Sequence, residues 1–336
     1  MPRKDYLGLL LFLTGIVLTP FIIANEYYLS ILVFAAFNCL ACIGLCLLMG
    51  YAGQISIGHA AFIGIGAYVS GICTVKLGWS PWYALFAGMT AASVIAIIVG
   101  FPSLRLKGHY LAMATLGFGA IVHVITVAAV DLTGGPAGIN DIPTLTLANI
   151  PIDTDKKFFY FSWLVVLLGL FGALNLIHSR FGRGLKAIHG SEDAASSAGV
   201  KTATYKLKIF VLSAIYASVA GSLYASYVNY IDPGPFDVMH SVLLVTMVAV
   251  GGMHNLWGAM TGAILLSLLP EFLSLASEFS QGFGVEYNPD YDTLIYGGIL
   301  LAIMLFLPEG LMAGLAALAK RFKSLLYSSG STTVKN

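Results

Sequence analysis

Apolar runs of membrane-crossing length recur along almost the whole chain. A chain built this way must fold with much of its surface against lipid. The runs lie near residues 7–24, 29–49, 55–75, 82–101, 109–130, 159–178, 209–228, 240–257, 259–277 and 293–313. At about 1.5 Å of helical rise per residue, about 18–24 residues cross the hydrocarbon. The expected fold is all-α: a polytopic integral membrane protein of about ten transmembrane helices, with eight or nine left open. The 7–24 run can instead lie at the interface. Gly251, Gly252 and Gly258 leave room for a broken or re-entrant element within 240–277. Only 10% of the residues are charged, against about 25% in a soluble domain. With no soluble domain and no repeat period, the chain reads as a single transmembrane domain over 1–336. The start, MPRKDY and an apolar run, imitates a secretory leader. The run is long for one and no small-residue cleavage site follows, so it is taken as the first transmembrane helix.

Basic residues set the orientation, because they are retained on the cytoplasmic side. With the N-terminus inside, all of the 17 Lys and Arg residues except Lys76, Lys156 and Lys157 fall on the cytoplasmic side. Both termini are then cytoplasmic. Most acidic residues fall outside, among them Glu26, Asp131, Asp141, Asp153, Asp155, Asp232 and Asp237. The largest outer segment, 131–158, contains TGGPAGI and reads either as a docking surface for a soluble outer partner or as a connecting loop. No broad basic surface exists beyond one loop and the tail, so nucleic acid is not an expected partner; the lipid bilayer is. Cys39, Cys42 and Cys46 share one helical face and read as small apolar residues rather than as a metal or redox set.

The longest polar stretch on the cytoplasmic side is 180–208, RFGRGLKAIHGSEDAASSAGVKTATYKLK. The part from Leu185 to Gly199 has good helix formers and no proline. It predicts one short helix parallel to the membrane, held by Leu185, Ile188 and Ala195 on one face and open to a partner on the other. The alternative is a basic connector that only fixes topology. A second conspicuous stretch is GYAGQISIGHAAFIGIGAYVSG from Gly50, where Gly53, Gly58, Gly64 and Gly66 would let helix backbones approach closely. Gln54, Ser56 and His59 are polar at its start, and His123 stands alone on an apolar span. These four either line a translocation path or are polar groups satisfied inside a packed bundle. Glu271, after Pro270, is one of few acids near membrane depth, which argues against a proton-coupled machine. The chain has no phosphate-binding G-x-x-x-x-G-K-[ST] sequence and no clustered catalytic or metal-ligating set, so it reads as a non-enzyme that uses no bound metal or cofactor.

GYAGQISIGHAAFIGIGAY resembles the signature segment of the branched-chain amino-acid ABC-transporter permeases, importers of leucine, isoleucine and valine. LRLKGHYLAMATLGFG (104–119), TGGPAGI (133–139), FGRGLKAIHGSEDAASSAGV (181–200), VAVGGMHNLWGAMTGAILLSLLPE (248–271) and LFLPEGLMAG (305–314) resemble further blocks of that family in the same order. Two of these blocks resemble the M-type subunit more than the H-type. The resemblance implies a permease domain in a bacterial inner membrane, paired with a second related permease. It also implies two cytoplasmic ATPase subunits that use the ATP and a periplasmic or extracellular substrate-binding protein. It gives the 180–208 loop a coupling role, because Asp193-Ala194-Ala195-Ser196-Ser197-Ala198-Gly199 is similar to the E-A-A-x-x-x-G pattern of importer coupling helices. Arg183, Gly184, Leu185, Ile188, Glu192, Asp193, Ala194, Ala195 and Gly199 are the residues this implies for ATPase coupling. Met253 and His254 stand where the family commonly has smaller residues. A urea or short-amide importer permease resembles this chain as well, and a stand-alone secondary transporter is the reading from another class.

Overall fold

Lipid tails are as apolar as leucine, so helices in a bilayer gain little by burying apolar area against one another. Close backbone approach and interhelical hydrogen bonds must hold such a bundle together instead. The computed structural model describes residues 3–282 except 24, 105, 107, 148 and 149, with scattered residues between 295 and 314. Its helices in chain order are α1 (Arg3–Ile22), α2 (Glu26–Cys46), α3 (His59–Val75), α4 (Pro81–Ser103), α5 (His109–Ala128) and α6 (Val130–Thr133). There follow α7 (Asp155–His178), α8 (Arg180–Gly190), α9 (Glu192–Ser197), α10 (Thr202–Val228), α11 (Val238–Gly251) and α12 (Leu256–Gly282). Among the described residues, 7 helical segments are long and apolar enough to cross a membrane, and α3 and α11 are shorter apolar helices. The chain is a multi-pass membrane protein. The expected span at 293–313 lies only in part among the described residues.

Two expected spans are shorter than the hydropathy suggested, and the reasons are local. The 55–75 span starts only at His59, because the chain between Gly53 and Gly58 is not helical. The 240–257 span ends at Gly251, where Gly252 takes φ +119° and stops the helix. The 14 residues of α11 rise only about 21 Å, short of a hydrocarbon core of about 30 Å. α2 ends in a π-helical turn, Leu47–Tyr51, that brings its last residues against the turn between α11 and α12.

α10 is the central post, packed against α2, α3 and α4, while α2 also contacts α7, α11 and α12. The α3–α10 contact is backbone on backbone. A Cβ at Gly66 would overlap the Ser218 carbonyl, and one at Gly221 would overlap the Ile63 carbonyl. Ser222 Oγ donates to the Gly66 carbonyl at 3.1 Å across the same seam. Gly58 and Gly64 are also points of close approach, Gly58 to the Thr115 carbonyl of α5 and Gly64 to Phe236.

At the opposite end from α8 and α9, the 131–158 segment is strapped down. Ile139 pairs with Ile231 in an isolated antiparallel bridge, and Asn229 Nδ2 donates to the Ile142 carbonyl at 2.6 Å. Gly138 (φ +71°) lies so close to Ile231 that no side chain fits there, which accounts for the last glycine of TGGPAG. A two-residue antiparallel pair, β1 (Thr146–Leu147) with β2 (Ile150–Pro151), completes the cover, and Trp82 Nε1 donates to the Thr146 carbonyl at 2.7 Å.

The seam makes a contrast that can be measured. Gly66→Leu should destabilise the chain by at least about 1–3 kcal/mol, the usual cost of overpacking. Gly117→Leu, where nothing lies within 4 Å of an added Cβ, should leave thermal unfolding in detergent nearly unchanged. Equal melting temperatures for the two variants would contradict the packing described.

Candidate functional site: a polar element at one end of the bundle

The segment after α7 is built as two helices, where the sequence suggested one. Ser179 caps α8, its Oγ accepting from the N–H groups of Phe181 (3.1 Å) and Gly182 (3.3 Å). The helix breaks at Ser191, whose backbone is extended and whose Oγ accepts from Ala194 N at 3.3 Å to start α9. A serine side chain that satisfies an orphan N–H makes a new start cheaper than a continued helix. α9 ends in a Schellman motif: Gly199 N donates to Ser196 O at 2.9 Å and Val200 N to Ala195 O at 3.0 Å. Gly199 sits at φ +84°, the left-handed turn that ends such a helix.

One face of this element grips the bundle. Leu185, Ile188 and Ala195 are buried against the chain's own helices. Phe181 stacks on Tyr205 of α10 at 4.8 Å, and Gly184 lies against the same tyrosine ring. The other face is open: Arg183, Lys186, Asp193, Ala194 and Gly199 are exposed, and Gly184 and Glu192 are half-buried. So of the three small residues in the Ala194–Ala195–Gly199 pattern, Ala195 faces inward and only Ala194 and Gly199 face out.

A buried ion pair ties α9 to α10. Lys206 is 2% exposed, yet its Nζ meets Glu192 Oε2 at 2.5 Å. A lysine this deep is tolerated only when paired, because removing its charge from water costs several kcal/mol. The sequence showed Lys206 as one of several basic residues that fix topology. In the structure it lies early in α10, between the exposed Lys201 and Lys208.

Next to α8, the chain between the π turn and α3 runs irregularly from Gly53 to Gly58. Non-helical backbone near membrane depth needs partners from protein. Ile57 N donates to Thr115 Oγ1 of α5 at 3.0 Å, and Ala60 N to Ser241 Oγ of α11 at 3.0 Å. Gln54 is buried, with Nε2 on the Ala52 carbonyl at 3.1 Å. His59 is buried with Nε2 3.1 Å from Ser213 Oγ of α10. Ser56 Oγ and the Nδ1 atoms of His59 and His123 are enclosed without a hydrogen-bond partner. His59 thus lies at the start of α3 against α10, with Ile57 N bonded to α5 and Ala60 N to α11 on either side of it; Gln54 and Ser56 are buried on the irregular segment that precedes it, and His123 is on α5. Thr115, Ser213 and Ser241 were not picked out from sequence, since a lone Ser or Thr in an apolar run carries no distinguishing pattern. Gly53 lies beside α8, where an added Cβ would sit 2.9 Å from His189 Nδ1. Partial burial, and then the neighbouring His254 ring, hold His189 below the ordinary histidine range.

The cysteines are free and buried; Cys39 and Cys46 point at the carbonyls of Met260 and Met253. No group of three or more His, Cys, Asp or Glu residues converges among the described residues.

A family model described as branched-chain amino acid transport system / permease component matches residues 27–304. The chain belongs to this permease family. It is 31% identical over 294 residues to the high-affinity branched-chain amino acid transport system permease protein LivM of Escherichia coli (strain K12), covering 80% of this chain and 66% of that protein. The LivM protein of Salmonella typhimurium matches to the same extent, so the chain spans just under two thirds of the length of both relatives. It is 24% identical to a probable LivM of Methanocaldococcus jannaschii over 68% of each chain. It is 25% identical to the autoinducer 2 import system permease protein LsrC of Yersinia pseudotuberculosis, over 71% of this chain and 67% of that one. No solved structure matches. The permease family's match takes in α2 to α12, and so includes both α8–α9 and the irregular 53–58 segment.

The ion pair in this permease predicts an asymmetric mutational result. Glu192→Gln leaves Lys206 buried and unpaired, and should cost roughly 2–3 kcal/mol. That is less than the ~3–5 kcal/mol of a fully buried pair, since the Glu192 side chain is 30% exposed. Adding Lys206→Met should recover most of the loss. Hydrogen exchange across 191–200, followed with thermal unfolding in detergent, checks both; unchanged exchange in Glu192→Gln would refute the anchoring role.

Proposed function

We propose that this chain is the membrane-spanning subunit of an ATP-driven importer for leucine, isoleucine and valine in a bacterial inner membrane. It spans the membrane about ten times (eight to ten) with both termini in the cytoplasm, an orientation supported by the basic residues near α8 and α9 and in the tail. A second, related permease completes the path, an outer binding protein delivers the amino acid, and two cytoplasmic ATPases bind and hydrolyse ATP. The chain itself carries out no hydrolysis.

The observation that carries this reading is the α8–α9 element. It presents Ala194, Asp193 and Gly199 outward on a short, well-capped helix, while Leu185, Ile188 and Ala195 hold it to the bundle. Small outward residues allow close seating against a partner. The inward anchors and the Glu192–Lys206 pair pass a displacement of α9 directly to α10, the central post. ATP binding in the partner supplies the differential work, and the permease supplies two packings of similar energy. Membership of the permease family and the names of the LivM relatives support the substrate class. Gln54 and Ser56 on the irregular segment and His59 at the start of α3 are candidate path residues of this chain; His123 on α5 is a fourth.

The reading is tested by uptake of labelled leucine into proteoliposomes holding the reconstituted permease pair, ATPases and binding protein. ATP-dependent uptake that isoleucine and valine inhibit, and urea does not, is the expected result. Competition by urea would move the substrate to short amides. Uptake by this chain alone on an ion gradient would overturn the importer reading.

A further inference from the structure

α8 carries a second link to the bundle that the coupling reading does not use. His189, on the exposed side of α8, brings Nε2 to 3.3 Å from Nε2 of His254, in the turn between α11 and α12. The rings meet edge to face, with centroids 5.2 Å apart and planes at 82°. Both residues are exposed, so the site is open to ions in solution.

The turn that carries His254 and the ring of His189 are each held by their surroundings. Tyr51 Oη donates to the His254 carbonyl at 3.1 Å and fixes the turn. His189 lies over Gly53, where only a missing side chain leaves room for its Nδ1 edge. Lys186 sits one turn back on α8, its Nζ 5.6 Å above the Tyr51 ring. A nitrogen-to-nitrogen separation of 3.3 Å suits a hydrogen bond when one ring carries its proton on Nε2 and the other does not. With both Nε2 atoms unprotonated, the same separation fits two ligands of one ion. A tetrahedral Zn²⁺ about 2.0–2.1 Å from each imidazole nitrogen holds the two nitrogens about 3.3–3.4 Å apart. Neutral imidazole is a preferred ligand of Zn²⁺, Cu²⁺ and Ni²⁺.

We propose that His189 and His254 form a two-histidine site for a divalent transition-metal ion, with water in the remaining coordination positions. The bound ion cross-links α8 to the α11–α12 turn. Resting on the transport reading above, that cross-link clamps the coupling element and slows uptake.

The test uses Zn²⁺ alone with the chain purified without a histidine tag. Isothermal titration should show one Zn²⁺ per chain that is lost in His189→Asn and, separately, in His254→Asn. His178→Asn, outside the pair, should keep it. Both pair residues are exposed, so their variants should fold, which is checked by an unchanged melting temperature without metal. Zn²⁺ bound with equal affinity by the wild type and both pair variants, or not bound by the wild type, would overturn the site. In the reconstituted importer, Zn²⁺ should depress ATP-dependent leucine uptake by the wild type and not by either variant. Zinc binding with unchanged uptake would overturn the clamp. A complex that carries no leucine with or without zinc would count against the transport reading, and the titration would still decide the site.

Discussion

The bundle depends on backbone touching backbone at the α3–α10 seam. In a bilayer, helices are not driven together by water, so contact must come from close approach and from polar groups that find each other. Gly66 and Gly221 let α3 and α10 come so near that neither tolerates a Cβ, and Ser222 adds a hydrogen bond across the gap. α10 in turn holds α2 and α4, and at its first turns it holds α9 through Lys206. The position of the exposed polar element is therefore tied, through α10, to a backbone contact farther along the same helix.

This arrangement joins a stiff connection to a tolerant one. α8 and α9 are short, and each is capped by its own serine, so each moves as a unit. Their inward residues are fixed on α10 and on the end of α7, where Gly182 lies against the Ile177 carbonyl. Beside them, the 53–58 segment has no helical ladder of its own and borrows Thr115 of α5, while Ser241 of α11 takes an N–H in the first turn of α3 that follows. Backbone satisfied by side chains of different helices is easier to rearrange than an unbroken helix, since it can trade partners without breaking a ladder. Gln54, Ser56 and His59 sit in or next to that segment.

Much of the fold was legible because hydropathy and lipid thickness speak directly to each other. The long spans at α2, α4, α5, α7 and α10 follow from apolar length alone. Helix ends were less legible. Gly252 ended α11 early, within the stretch where the glycines left room for a break, and Ser191 divided the polar loop, an effect of backbone geometry that hydropathy does not register. The burial of Leu185, Ile188 and Ala195 was readable from helical periodicity. The inward Lys206 was not, because its value comes from a carboxylate 14 residues away that a helical period does not connect. Thr115 and Ser241, which take the N–H groups of Ile57 in the irregular segment and of Ala60 in the first turn of α3, were hidden for the same reason: they are single hydroxyls that matter only once the helices are packed.

The central claim is that α9 meets the ATPase through Ala194. The direct measurement is cysteine cross-linking in native membranes with Ala194→Cys, against the background of the native cysteines, which are all buried. The account predicts a cross-link from position 194 to the ATPase subunit, changed in yield by ATP, and none from a cysteine placed at Gly117. A position 194 cysteine that forms no cross-link, and that a membrane-impermeant thiol reagent labels from outside the cell, would contradict it.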